Sequence, residues 1–272
     1  MTKMLICIPA RYGSTRLPGK PLVKINGVEM IKRVWVNAQK ALKNFPDCAA
    51  VVATDDQRIV DFCAQNGIAA VMTPESCPSG TARVLEAVAQ MPNQPDFVLN
   101  LQGDNPLCPP WIIEAMLQAY LSEPDLETVT PVVNLTWEQL DTLRDNKKTT
   151  PFSGTTVVMD AGKNAFWFSK NIIPAIRKEE KLREAGKLSP IYRHLGVYGY
   201  RLDVLKKIER LPEGFYEKLE GLEQLRWLEN RVRVKCVVVD YRAFEQMSSL
   251  SGVDSPEDVA RVEKALNACG EF

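Results

Sequence analysis

Four short runs of almost unbroken apolar residues dominate the first part of the chain: MLICIPA (4–10), AAVVAT (49–54), IAAVMT (68–73) and DFVLNLQ (96–102). A strand with one wet face alternates apolar and polar side chains. A strand without alternation must be covered on both faces, as happens in parallel sheets flanked by helices. Helical patterns separate the runs at 28–43, 56–66, 80–91 and 109–121, and in the first of these Met30, Val34, Ala38 and Ala41 recur at helical spacing. Strands alternating with helices of this length predict right-handed βαβ units and an open parallel sheet. Ligands of such sheets bind beyond the carboxyl ends of the strands.

The second half reads differently. Residues 127–134, 154–159, 165–169, 194–201 and 232–239 are strand-like, with fewer intervening helices. The run RKEEKLREAGK (177–187) is charged all round and predicts a solvated helix or a flexible flap. The organisation expected is one α/β domain over 1–272, with a β-rich subdomain roughly within 127–200.

Bulk composition removes several classes of function. Lys plus Arg and Asp plus Glu both number 34 in 272 residues, so the formal net charge is zero. That argues against a general affinity for nucleic acid or an anionic membrane and leaves room for a local basic pocket. No apolar run reaches the roughly 18–20 residues of a membrane span, and the N-terminal apolar stretch is too short for a signal peptide. Seven cysteines without a CxxC pair predict small buried hydrophobes in a reducing compartment, hence a cytoplasmic protein. With one histidine, a His-rich metal centre is excluded. Any metal must be a hard cation on oxygen ligands.

The loops expected at the carboxyl ends of the strands are unusual. The first, within IPARYGSTRLPGKPL (8–22), follows the first strand with Gly13, Gly19, Pro18 and Pro21 among Arg11, Arg16 and Lys20. Backbone N–H groups and permanent cations gathered there suit an anion, usually phosphate, although an ordinary basic surface loop has the same composition. Asp104, in NLQGDNPLCPP, is placed either to hold Mg²⁺ or to close a turn. Asp254 precedes a helix start in which Ser255 and Asp258 form a box resembling a capping box and Pro256 takes the first helical position. That leaves Asp254 over as a second carboxylate. Two such carboxylates and a cationic loop are the minimum for metal-assisted phosphoryl or nucleotidyl transfer. PSGTAR puts Ser79, Gly80 and Thr81 at a helix start with Arg83 one turn in, an arrangement shared with any N-cap. His194, like most single histidines, has a structural role as its ordinary alternative. Glu223 and Gln224 would by default be solvent-exposed on a helix.

Together these segments resemble the CMP-Kdo synthetases, the 3-deoxy-manno-octulosonate cytidylyltransferases. IPARYGSTRLPGKPL, VVATDD, PSGTAR, NLQGDNP, YRHLGVYGYR, LEQLR and GVDSPEDVARV have counterparts there in the same order over most of the chain. RxGSxRxPGK is shared with other CMP-sugar synthetases, whereas RHLGVYGYR, LEQLR and GVDxPED are more specific. The resemblance implies a Rossmann-like nucleotidyltransferase core of mainly parallel sheet with a smaller β-rich dimerisation part, acting as a homodimer. It implies that CMP is transferred from CTP to the anomeric hydroxyl of Kdo, an acidic keto-sugar, in surface-glycan biosynthesis. Arg11 and Lys20 would neutralise the triphosphate beside Pro9, Ala10, Gly13 and Arg16. Ser79, Gly80, Arg83 and Gln102 would line the nucleotide site. Asp104 and Asp254 would hold Mg²⁺, and Arg11, Lys20 and Asp104 would carry the catalysis. Arg177, His194, Tyr198, Glu223 and Gln224 would line the sugar-acid pocket.

Three positions depart from the family pattern. Asn105 stands where QGDEP has Glu, Ala82 where an acid precedes the Arg of SGT[DE]R, and Thr156 where VKVV has Lys. Each exchanges a charged side chain for a neutral one, so an altered acceptor (an amino-Kdo, a nonulosonate or a phosphonate) is the alternative expectation. A nucleotide-binding homologue without turnover is another.

Overall fold

The computed structural model describes residues 3–14, 16–240 and 252–269. In chain order it forms β1 (Met4–Ala10), a single 3₁₀ turn (Lys20–Leu22), the short pair β2 (Lys24–Ile25) and β3 (Val28–Glu29), α1 (Met30–Leu42), β4 (Cys48–Thr54), α2 (Gln57–Gln65), β5 (Ala70–Met72), α3 (Gly80–Ala89), β6 (Phe97–Asn100) and α4 (Pro110–Ser122). Then follow β7 (Thr128–Thr136), α5 (Trp137–Thr149), β8 (Thr156–Met159), β9 (Ala165–Ser169), α6 (Glu179–Ala185) and β10 (Leu188–His194). The chain ends with β11 (Tyr198–Arg201), α7 (Leu202–Ile208), α8 (Phe215–Glu220), α9 (Glu223–Glu229), β12 (Val234–Val238) and α10 (Pro256–Cys269). These elements fall into two compact units, one of residues 1–124, 197–209 and 250–272, the other of 125–196 and 210–249.

In the first unit the strand order is β5-β4-β1-β6-β11. Parallel pairing joins β4, β1 and β6, with Met4 opposite both Cys48 and Phe97, and β5 extends the parallel set beside β4. All seven residues of β1 are buried, as its unbroken apolar run requires of a central strand. Met30, Val34, Ala38 and Ala41 of α1 are buried as their spacing predicts. Pro110 opens α4, a position where its missing N–H costs nothing. β11 closes the sheet antiparallel to β6. The fold is therefore the α/β type with a mainly parallel sheet.

The second unit has the order β12-β7-β10-β8-β9, antiparallel except for β12, which runs parallel to β7. One expectation needs correction here. The run 194–201 is not one strand: β10 ends at His194 and β11 begins at Tyr198. Beyond His194 the Leu195 N–H still donates to the Pro131 carbonyl in register with β7, but proline has no N–H to give back, and Gly196 follows. The helix α5 was not expected, although Thr136 and Gln139 form a full capping box at its start. The charged run 177–187 is a helix over Glu179–Ala185 with no buried residue.

Among the described residues no helix is long and apolar enough to cross a membrane. Cys7, Cys63, Cys108 and Cys236 are buried and unbridged, and enclosure pushes the Cys7 and Cys108 thiols up to about 12. They are inert packing groups. Cys48 and Cys77, also unbridged, are half-buried.

Candidate active site

The carboxyl ends of β1 and β6 open into a cleft of about 250 Å³ in the first unit. Pro9 and Ala10 enter it from the end of β1, and Arg11 and Lys20 from the loop that follows. Ser79, Gly80 and Arg83 face it from the start of α3, Gln102, Gly103 and Asp104 from the turn after β6, and Asp254 from the residues before α10. Most of the residues expected to bind nucleotide or metal are thus brought together. Gly13 lies one step aside, in an adjoining depression with Tyr12, Asp55 and Arg58, while Arg16 reaches Asp254 from the solvent side at 3.1 Å.

The centre of the cleft is an ammonium between two carboxylates. Lys20 Nζ donates to Asp104 Oδ2 at 2.6 Å and to Asp254 Oδ1 at 3.0 Å. Burial works to lower the Lys20 pKa, but the two carboxylates outweigh it and hold the amine above the ordinary lysine range. Lys20 therefore stays charged at neutral pH. Asp254 owes its place to backbone: the Val253 N–H donates to the Asp104 carbonyl at 2.8 Å. The Asp258 carboxylate accepts from the N–H groups of Asp254 and Ser255, which completes the expected box.

The loop is fastened at Tyr12. Gly19 N donates to the Tyr12 carbonyl at 3.2 Å, and Gly19 takes φ 66°, a left-handed conformation that glycine adopts without a steric cost. The Arg58 guanidinium lies 3.4 Å from the centre of the Tyr12 ring. Asp55 links this loop to α3: its Oδ1 accepts from Tyr12 N at 3.4 Å and its Oδ2 from Arg83 at 2.6 Å.

Two of the cleft residues also make local structural bonds. The Ser79 hydroxyl caps α3, accepting from Ala82 N at 2.9 Å, so the commonplace N-cap reading holds for that atom. Arg83 is only 3% exposed, with its guanidinium spent on Thr73 and Asp55, so it shapes the cleft wall as an ion-paired core residue. Gln102 turns its amide to Asn100 Oδ1 at 3.1 Å.

The residues expected to bind a sugar acid are distributed over both units. Tyr198 opens β11 in the first, 6.2 Å from the Tyr200 ring. Arg177, His194, Glu223 and Gln224 belong to the second. Arg177 is exposed, and Glu223 and Gln224 begin α9. The default expectation of solvent exposure fails for Gln224, which is 3% exposed with its Nε2 unpaired. A buried amide of this kind is an opportunity for a ligand. The His194 ring stands edge-on to Phe168 at 5.1 Å, and its Nε2 meets Thr130 Oγ1 at 2.9 Å. Thr130 donates its own proton to the Leu195 carbonyl, so Nε2 carries the hydrogen. Lys147, Thr156 and Glu220, absent from the expected set, make dense contacts in the second unit that are taken up below.

Two outcomes follow from this geometry. A Cβ on Gly103 would lie 2.6 Å from the Pro9 carbonyl oxygen. Gly103→Ala must therefore push the turn bearing Asp104 off β1, lowering kcat more than tenfold and stability by about 1–3 kcal/mol, read by steady-state kinetics and denaturant midpoints. Enclosure, aided by the Lys170 ammonium, lowers the His194 pKa to about 3. Its folded pKa is below the unfolded value, so the neutral ring contributes stability above pH ~6.5 that is lost as pH falls toward the folded pKa. As the only histidine, it should give one imidazole NMR signal that does not titrate between pH 5 and 8. A midpoint near 6.5 would contradict its enclosure.

A family model described as cytidylyltransferase matches residues 5–234. The 3-deoxy-manno-octulosonate cytidylyltransferase of Maricaulis maris is 44% identical over 269 residues, 99% of each chain. That of Desulfosudis oleivorans is 39% identical over 267 residues, 97% of each. Among solved structures, a CMP:2-keto-3-deoxy-manno-octonic acid synthetase complexed with CTP superposes with a TM-score of 0.81 at 32% identity, covering 98% of this chain and 99% of that one. A parallel sheet with a cationic, two-carboxylate cleft beyond its strand ends and a likeness running the length of the chain lead to one conclusion: this protein belongs to the cytidylyltransferase family.

Proposed function

We propose that the protein transfers CMP from CTP to the anomeric hydroxyl of 3-deoxy-manno-octulosonate, releasing pyrophosphate, as a step in surface-glycan biosynthesis. The observation that carries this is the Lys20 ammonium held between Asp104 and Asp254, in a chain similar along its whole length to 3-deoxy-manno-octulosonate cytidylyltransferases. The sugar hydroxyl attacks the α-phosphorus. An O–P bond forms, the bond from the α-phosphorus to the bridging oxygen breaks, that oxygen leaves with pyrophosphate, and the hydroxyl proton is released to solvent. Arg11 and Lys20 face the triphosphate and stabilise the charge that grows on its oxygens. No side chain is assigned as a general base.

Asp104 and Asp254 fit Mg²⁺ as hard oxygen donors that already converge on a single cationic centre. The pair offers two carboxylates, and nucleotide phosphates supply further oxygens. Bound there, Mg²⁺ would polarise the phosphoryl oxygens. Arg177, His194, Glu223 and Gln224 recognise the acidic sugar, Gln224 with a buried amide still open to a partner. Homodimerisation through the β-rich unit and a cytoplasmic location complete the reading. The names of the relatives favour Kdo over the amino-Kdo, nonulosonate and phosphonate alternatives.

Pyrophosphate release with a panel of nucleotides and keto-acids tests the proposal. CTP should be the preferred nucleotide, and Kdo should exceed amino-substituted and nine-carbon acids by tenfold or more in kcat/KM; a better acceptor than Kdo would overturn the assignment. Lys20→Ala removes a charge-assisted contact worth about 1.5–3 kcal/mol, so turnover should fall roughly tenfold to a hundredfold. Activity should vanish in excess EDTA and return with Mg²⁺ or Mn²⁺, and Asp104→Asn or Asp254→Asn should abolish turnover in a folded protein.

A further inference from the structure

Residues 170–178 form an irregular strap between β9 and α6, and Arg177 sits near its far end. The near end is held by hydrogen bonds from four side chains. Thr156, fully buried on β8, donates its hydroxyl to the Asn171 carbonyl at 2.7 Å and accepts from the Ile173 N–H at 3.0 Å. The Lys147 ammonium donates to the Lys170 carbonyl at 2.6 Å and to the carbonyls of Ser153 and Gly154 at 2.6 and 2.9 Å. Glu220 accepts from Lys170 N, and Ser169 Oγ from Asn171 N.

The far end is held from the same helix. Arg144 grips Glu179 through two parallel bonds of 2.8 and 2.7 Å, and Arg183 of α6 pairs with Asp141 at 2.6 Å. Asp141, Arg144 and Lys147 recur every three residues on α5, so one helical face reaches both ends of the strap. Between the two anchorages Lys178 takes φ 56° and ψ 43°, a left-handed conformation unusual for a residue with a side chain. The strap is thus tied by groups that face backbone and α6, leaving Arg177 itself exposed.

We infer that Thr156, with the polar face of α5, is a positioning device that presents Arg177 to the acidic sugar. The inference rests on the proposal that Arg177 binds that sugar. An arginine meets a carboxylate productively only in a narrow geometry, and a strap loosened at either end would spread its guanidinium over many positions. Thr156 makes two bonds with one hydroxyl, so valine, its near-isostere, removes both without changing the volume.

The test is a kinetic cycle on the full-length protein with Kdo and CTP as variable substrates. Thr156→Val should raise KM for Kdo about fivefold, the loss expected for one or two hydrogen bonds, with KM for CTP unchanged within about twofold. Thr156→Ser should restore the wild-type value. Glu179→Gln, a surface change at the opposite end, should raise KM for Kdo in the same direction. In an Arg177→Ala background, Thr156→Val should add no further loss. If Arg177→Ala raises KM for Kdo while Thr156→Val and Glu179→Gln do not, the positioning role falls and Arg177 remains a ligand. A full additional loss in the Arg177→Ala background, or an equal rise in KM for CTP, would equally overturn it. If Arg177→Ala leaves KM for Kdo unchanged, the ligand assignment falls and the inference with it.

Discussion

One ammonium group organises the site. Lys20 lies in the first loop, Asp104 in the turn after β6, and Asp254 just before the last helix, and Lys20 Nζ reaches both carboxylates at once. The Val253 N–H on the Asp104 carbonyl brings the two segments together, and without the ammonium their neighbouring carboxylates would repel. The side chain of Lys20 is 13% exposed, so the interactions are stronger than those of a surface ion pair while one flank stays open to a ligand. The other fastenings of the loop, the Tyr12 carbonyl on Gly19 and the Arg58 stack on Tyr12, keep Lys20 in reach of its partners.

Much of the first unit was legible because its chemistry is repetitive. A run such as MLICIPA can only be a strand covered on both faces, and once four such runs alternate with helices the strand ends become the place to look for a ligand. Lys20, Asp104 and Asp254 stood out because they belong to loops at those ends or beside a helix cap. What stayed hidden has a common cause. The partners of Arg83 could not be foreseen, because nothing in the local sequence announces Asp55 or Thr73. Lys147 gave no signal in the sequence, because its acceptors are main-chain carbonyls and every residue has one. Gln224 looked exposed because helical periodicity gives no weight to a polar side chain turned inward.

The three neutral positions can now be told apart. Ala82 is the third residue of α3, where an acid would favour the helix N-terminus, and its N–H is already met by Ser79. Asn105 is buried beside Asp104, with its Oδ1 lacking a hydrogen-bond partner. Thr156 is a strand residue that holds a strap in the second unit. The three thus sit in separate local settings. The expectation that three lost charges signal one linked change of acceptor does not follow from these placements.

Thr156 and Lys147 divide the task of tying the strap. A lysine has three donors and no acceptor, so an ammonium at 156 could answer the Asn171 carbonyl but never the Ile173 N–H. The hydroxyl answers both. The carbonyls of Ser153, Gly154 and Lys170 converge and favour a cation, which arrives from α5 as Lys147. Burial and the neighbouring Lys170 and Arg193 lower the pKa of that lysine, yet its ring of carbonyl dipoles is the environment a partly desolvated ammonium needs. Neutral threonine on the strand and charged lysine on the helix are thus complementary. Together they tie the strap through one acceptor-capable group and one strong donor, a division of labour that a single lysine on the strand could not perform.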